Sequence, residues 1–402
     1  MFHQDLLLDY HKYMKKNLII ITPYPKTGKY SHETSALASF NKNLVDILKT
    51  QYNIVILADN ENKKDQAVKA WEKNDFFNYF KLLKVIAGYK SIQNILIQFE
   101  WGVFGNNILF IGFFPVFLLI LKFLGKKTSV VLHGVSFDFK SIYGAGLKTK
   151  LLNAGSYVFY SLVCLLSGKI IVTENYFKKQ LSKLLFAENK VIFIPHGVDT
   201  AFVKKQNKYE EKINFGYFGF LHPYKGPKNL LNLYESIDKT KFSLNFFGGA
   251  SPSLEKNKDY RQYLDDFKQK AKELKVFVSG FVKEKDLSQY FNKVDLVIFP
   301  YPSFISSSGM LAMTFSLEKP FILSQPLAGY FDSPDFADAL KQTDLKKEDF
   351  LFDFNQKSFE YRLNWAKNNL KKLADFSRIM KEKRAWSRVS RQYSVILIRY
   401  FF

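Results

Sequence analysis

In the stretch "INFGYFGFLHPYKGPKNLL" an apolar run, Ile213–Phe218, stops at Gly219, and Lys225-Gly226 stands just before a helical pattern. One reading is a tight turn carrying a solvated lysine. The other is a site where an ammonium and turn amides meet a phosphate together. A second stretch offers the same chemistry. In "SSSGMLAM", Ser307, Ser308 and Gly309 open another helical pattern, with hydroxyls and free amides at the positive end of a helix dipole. Those serines serve equally well as an N-cap. His222 stands three residues before Lys225, where it adds a possible phosphate donor.

Four more polar residues follow apolar runs directly: Glu100 after "NILIQF", His133 after "TSVVL", Glu174 after "KIIVT" and His196 after "VIFIP". Glu100 either orients an acceptor hydroxyl or caps the loop "WGVFG". His133 either contacts a substrate or is satisfied by backbone at a strand end. Glu174 either faces a ligand or caps the helix "NYFKKQL". His196 fits a junction between two halves better than a substrate contact. No Asp-x-Asp pair and no histidine–carboxylate cluster with ligand spacing occurs, so neither a metal nor a cofactor is expected.

The elements that must position these groups alternate in type. Strand-like runs cover 17–22, 53–58, 94–99, 128–132, 169–173 and 191–194, then 213–218, 243–247, 276–279, 295–299 and 320–323, with helical patterns between them. That alternation predicts an α/β protein with parallel sheets covered on both faces. The polar stretch near 200–211 reads as a linker, giving an N-terminal Rossmann-like domain over 1–205 and a second over 206–385. Residues 386–402 read as a helix that returns to the first domain. Gly219, Gly248, Gly280 and Tyr301 follow strands of the second series, and open α/β sheets bind ligands at that edge.

Bulk properties narrow the classes. The 402 residues call for about two domains. A single cysteine, Cys164, excludes an intramolecular disulfide and fits a reducing compartment. Residues 1–16 lack the pattern of a secretory signal. Net charge is +22, almost all from lysine, and the first arginine is Arg261. Arginine is the usual reader of base edges, so specific nucleic-acid binding ranks last; lysine suits anionic lipid or an anionic substrate, or reflects coding bias alone. The uncharged run Ile108–Leu121, followed by Lys122, Lys126 and Lys127, is interrupted by Pro115. It reads as a buried helix, a segment dipping into one leaflet, or a span.

At "GYFGFLHPYKGPKNLL" the chain resembles GT-B glycosyltransferases of family 4, a retaining group. "IQFEWGVFG", "VLHGV", "VIFIPHGVD", "LNFFGGA" and "VSGFVKEKDLSQYFNKVDLVIFPY" follow in family order across about residues 17–325. The resemblance implies two facing domains with a cleft and a nucleotide-sugar donor. Lys225 meets the diphosphate with Gly219, Ser307, Ser308 and Gly309, and Gly248, Gly280, Phe281 and Val282 lie at the base. Gly28, Glu100 and Glu174 fall on the acceptor side, with His133, Glu100 and Lys225 catalytic. The acceptor would be a glycan or lipid-linked, and the location cytoplasmic, peripheral on an anionic inner membrane face. Two departures stand out. Phe220 takes the place of a frequent arginine, and Ile305 and Met313 stand where the family usually carries two glutamates. An inactive nucleotide-binding or scaffold partner of another transferase is the alternative.

Overall fold

The computed structural model describes residues 15–26, 36–105, 107–201, 211–251 and 254–401. Gly28 lies outside them, as does most of the stretch read as a linker. The first sheet contains β1 (Lys16–Ile21), β2 (Tyr52–Ala58), β3 (Ala67–Lys69), β4 (Asn94–Phe99), β5 (Lys127–Leu132), β6 (Lys169–Val172) and β7 (Val191–Phe193). Its strands are all parallel, in the order β3-β2-β1-β4-β5-β6-β7. The second contains β8 (Ile213–Phe218), β9 (Phe242–Phe247), β10 (Phe277–Val278), β11 (Leu296–Phe299), β12 (Phe321–Ser324) and β13 (Leu351–Phe352). It is also parallel, in the order β10-β9-β8-β11-β12-β13. Both orders reverse direction once, between β1 and β4 and between β8 and β11. Such switch points open a crevice beyond the strands' carboxyl ends.

Helices cover both faces of the first sheet. Along the chain these are α1 (Ala36–Leu48), α2 (Asn78–Gly88), α3 (Ile108–Phe123), α4 (Leu147–Leu166) and α5 (Asn175–Leu181). Among those of the second half are α6 (Pro227–Glu235), α7 (Gly309–Ser316), α8 (Pro334–Thr343), α9 (Leu370–Lys383) and α10 (Trp386–Phe401). Because strand side chains alternate, β1 sends Ile19 and Ile21 to the face under α2, α3 and α4, and Leu18 and Ile20 to the face under α1 and α10. The last helix buries Val389, Tyr393 and Leu397 on that second face, so the chain ends on the first sheet.

The halves are joined twice. The incoming chain at Val198 donates its N–H to the Arg384 carbonyl at 2.7 Å, and Trp386 returns an N–H to Val198 at 3.2 Å. The Trp386 indole packs where a Cβ on Gly197 would sit, only 2.3 Å away, which ties these crossing strands together. Strand boundaries fall within a residue or two of the sequence reading. The two strands it missed, β3 and β13, are three and two residues long.

Candidate functional site

Lys225 is placed by two glycines. Gly226 has φ +69°, and a Cβ there would stand 1.9 Å from the Pro300 carbonyl oxygen. Only glycine permits both the left-handed backbone and that approach, which seats the start of α6 against the end of β11. Gly219, with φ +117°, closes β8. A methyl group on it would lie 3.4 Å from Lys225 Nζ and 3.6 Å from Met310 Cγ in the first turn of α7. Gly219, the lysine ammonium and the N-terminus of α7 therefore converge at the β8–β11 switch point. Among the described residues the ammonium has no ion pair; its near neighbours are the rings of Tyr224 at 5.8 Å and Tyr301 at 6.0 Å. Burial pulls the Lys225 pKa down to about 8, and Glu100 across the cleft opposes the shift.

The N-terminus of α7 is divided. Ser308 is its N-cap: Oγ accepts from the Leu311 N–H at 3.3 Å, and the Ser308 N–H goes to the Tyr330 hydroxyl at 3.0 Å. Ser307 faces the first sheet instead of a ligand. Its N–H donates to the His133 carbonyl at 3.0 Å, and its hydroxyl shares a 2.5 Å hydrogen bond with Thr173 Oγ1. An antiparallel bridge between Gly134 and Ser306 completes the contact. Ser307 and Ser308, expected at the diphosphate, thus both have partners within the protein. Gly309 is exposed and opens onto free space, so the donor groups left at this helix end are backbone amides. Ile305 presents its carbonyl to Gly134, and Met313 packs half-buried against the core, so neither supplies a polar group to the cleft.

On the facing side, Glu100 follows β4 at the other switch point. Burial raises its pKa, while Lys225 and Lys73 draw it down. Lys73, which the sequence reading passed over, feels Glu100 and Asp59 in return. It lay in an irregular stretch with no motif to mark it. Glu100 also lines a small hollow with Tyr79, Phe99, Val103 and Phe110. His133 is buried, its Nε2 2.7 Å from Gln98 Oε1, and desolvation holds its pKa near 3. Its ring packs edge-on to Phe40, with centroids 4.8 Å apart. His196 bonds the Gly197 carbonyl through Nδ1 at 2.8 Å, and burial lowers its pKa to about 4. His222 Nδ1 accepts from the Tyr224 N–H at 3.3 Å and caps the turn before Lys225.

Glu174 does not cap α5 with its side chain. It is buried, with both carboxylate oxygens 3.5 Å from the Arg384 guanidinium, whose Nε also meets Asp335 at 2.6 Å. Burial pushes the Glu174 carboxyl upward, Arg384 pulls it down, and Asp335 adds to the rise. Glu174, expected on the acceptor side, thus joins the two halves through Arg384. Gly248 also has a structural duty: a Cβ there would lie 1.8 Å from the Gly219 carbonyl oxygen, so two turns cross without side chains. Gly280 has φ +72° with open space beyond it, Val282 is half-buried, and Phe281, 41% exposed, stacks on Phe220 with ring centroids 6.1 Å apart.

Residues 198–312 match the family model described as Glycosyl transferases group 1, a span reaching from the crossing strand through Gly219, Lys225 and Gly280 to α7. Sucrose-phosphate synthase from Thermosynechococcus elongatus superposes with a TM-score of 0.70 at 11% identity, covering 96% of this chain and 99% of its own. The fold is GT-B. HepE from Anabaena, solved with UDP-glucose, gives 0.64 at 13% identity, covering 95% of this chain and 99% of its own. A glycosyltransferase from Rickettsia africae gives 0.66 at 12%, covering 97% and 99%. No curated protein matches the sequence. In GT-B terms, the Lys225 crevice and the Glu100 crevice are the two walls of one cleft.

Proposed function

We propose that the protein is a retaining, metal-independent glycosyltransferase that moves a hexose from a nucleoside-diphosphate sugar to a glycan or lipid-linked acceptor. The observation that carries this reading is the convergence of Gly219, Lys225 and the open amides of α7 at one switch point, opposite Glu100. A leaving diphosphate there is neutralised by the ammonium and by helix amides, the kind of fixed charge that stabilises a departing anion most strongly in a partly dry site. The diphosphate oxygen takes the acceptor's proton as it leaves, with attack on the same face. No histidine in the cleft need act as base, consistent with the buried, neutral His133. Glu100 orients the acceptor hydroxyl. The two structural units are taken as an acceptor-binding half over 1–205 and a donor-binding half over 206–385, at the cytoplasmic membrane face.

Ile305 and Met313 favour one rival, a nucleotide-binding scaffold without turnover, because neither can accept a bond from a sugar hydroxyl. The two part cleanly in a panel assay: the protein is incubated with UDP-, GDP- and ADP-sugars and release of nucleoside diphosphate is followed. Release above the spontaneous rate from one donor supports transfer chemistry. Tight binding without release from any donor, with and without added glycans, supports the scaffold.

A further inference from the structure

The first sheet carries α2, α3 and α4 on one face, and their outward sides are apolar. On α3, Leu109, Phe113, Val116 and Phe123 are exposed, the last at 81%. On α4, Leu147, Leu151, Val158, Leu162 and Leu165 form an exposed stripe at helical spacing. Phe76, Phe77 and Phe80, at the start of α2, are each more than 60% exposed. The three helices are neighbours, α3 packing against both α2 and α4, and the Phe76 ring meets Phe110 of α3 at 5.0 Å. Their inner residues Ile86, Phe114 and Val163 share one core with Ile19, Ile97 and Val130, so the outer residues all point away from the same sheet face. A soluble protein rarely leaves so continuous an apolar area uncovered.

The chemistry around the patch says what covers it. Residues 76–170 hold ten lysines and two acids, Glu100 and Asp138. Lys84, Lys90, Lys122, Lys148 and Lys150 are exposed, whereas Lys126 is turned inward to the carbonyls of Tyr89 and Ile92. An apolar face rimmed by one sign of charge repels a second copy of itself and fits a surface that is apolar inside and anionic outside. By length and composition α4 could cross a bilayer. Its Phe159, Tyr160 and Val163 are committed to the sheet core, however, so it lies along a membrane instead of through it.

We propose that the outer face of α2, α3 and α4 seats the protein in an anionic lipid leaflet. This deepens the transferase reading, on which it rests in one respect: Glu100 stands between β4 and the start of α3, so a leaflet lying against α3 is on the side of the cleft from which a lipid-anchored acceptor would arrive.

The test is flotation of the full chain with vesicles of phosphatidylglycerol and phosphatidylcholine, against phosphatidylcholine alone. Two double variants accompany it, Phe113→Asp with Leu151→Asp, and Lys122→Glu with Lys148→Glu, all at exposed positions, with nucleoside-diphosphate titration as the check on folding. Wild type should float with the anionic vesicles, and each double variant should lower partitioning by about tenfold or more. Failure of the wild type to float, or equal flotation of all three proteins, overturns the proposal. So does a dimer in sedimentation velocity that the variants dissociate without any vesicle binding. Wild type that floats but turns over no donor would leave the membrane seat standing and remove the transferase reading.

Discussion

Lys225 is the residue on which the proposed chemistry turns. Its ammonium lacks an ion pair among the described residues, and its pKa of about 8 marks a group held ready for an anion at a desolvation cost. Lys225→Ala should lower donor turnover by about 10²- to 10³-fold, as loss of one preorganised charge typically does, measured as initial rates at saturating acceptor. The pH dependence follows with a definite sign. Below about 8 the free protein already carries the charge, so affinity for a nucleoside diphosphate should be flat from pH 6.5 to 7.5. Above it each bound diphosphate must recruit a proton, and affinity should fall by up to about tenfold per pH unit. Lys225→Ala should lose that slope; a slope that survives assigns it to another group.

At the scale of elements, the glycine turns set the precision of the site. Gly226→Ala forces a Cβ against the Pro300 carbonyl at a left-handed φ, and should destabilise the second half by about 2 kcal/mol or more. Urea unfolding checks the stability, and donor KM checks whether Lys225 has moved. Here the legibility of the sequence can be weighed. The six-residue strands β4 and β8 were plain because runs such as "NILIQF" and "INFGYF" are largely apolar on both faces, as parallel strands covered on both sides tend to be. The edge strands β3 and β13 were too short to leave a pattern. The residues after strand ends were found by position, but their partners were not. Ser307 reads as a phosphate ligand from its place at a helix start, whereas the partners it has in the fold, Thr173 and the His133 carbonyl, belong to the other half of the chain. Glu174 looked like a cap for the same reason; Arg384 lies 210 residues further on. Contacts between halves leave no local period to read.

For the whole molecule, the junction of the halves decides how the cleft is held. Among the contacts that span it are the Gly134–Ser306 bridge, the crossing strands at Val198 and Trp386, the Ser307–Thr173 hydrogen bond and the Glu174–Arg384–Asp335 cluster. Arg384→Ala would leave two carboxylates facing each other in a dry interface, and should cost about 3–5 kcal/mol in urea unfolding. A loss under about 1 kcal/mol would mean that the cluster is not a strut. The central claim is that the halves close on a pyrophosphate between Lys225 and the amides of α7. Isothermal titration at pH 7 of UDP, GDP and ADP, each beside its monophosphate, into wild type and Lys225→Ala tests it most directly. The account calls for one diphosphate to bind wild type at least about tenfold tighter than its monophosphate, with that preference abolished in the variant. Equal affinity for mono- and diphosphate, or a preference that the variant keeps, would contradict it.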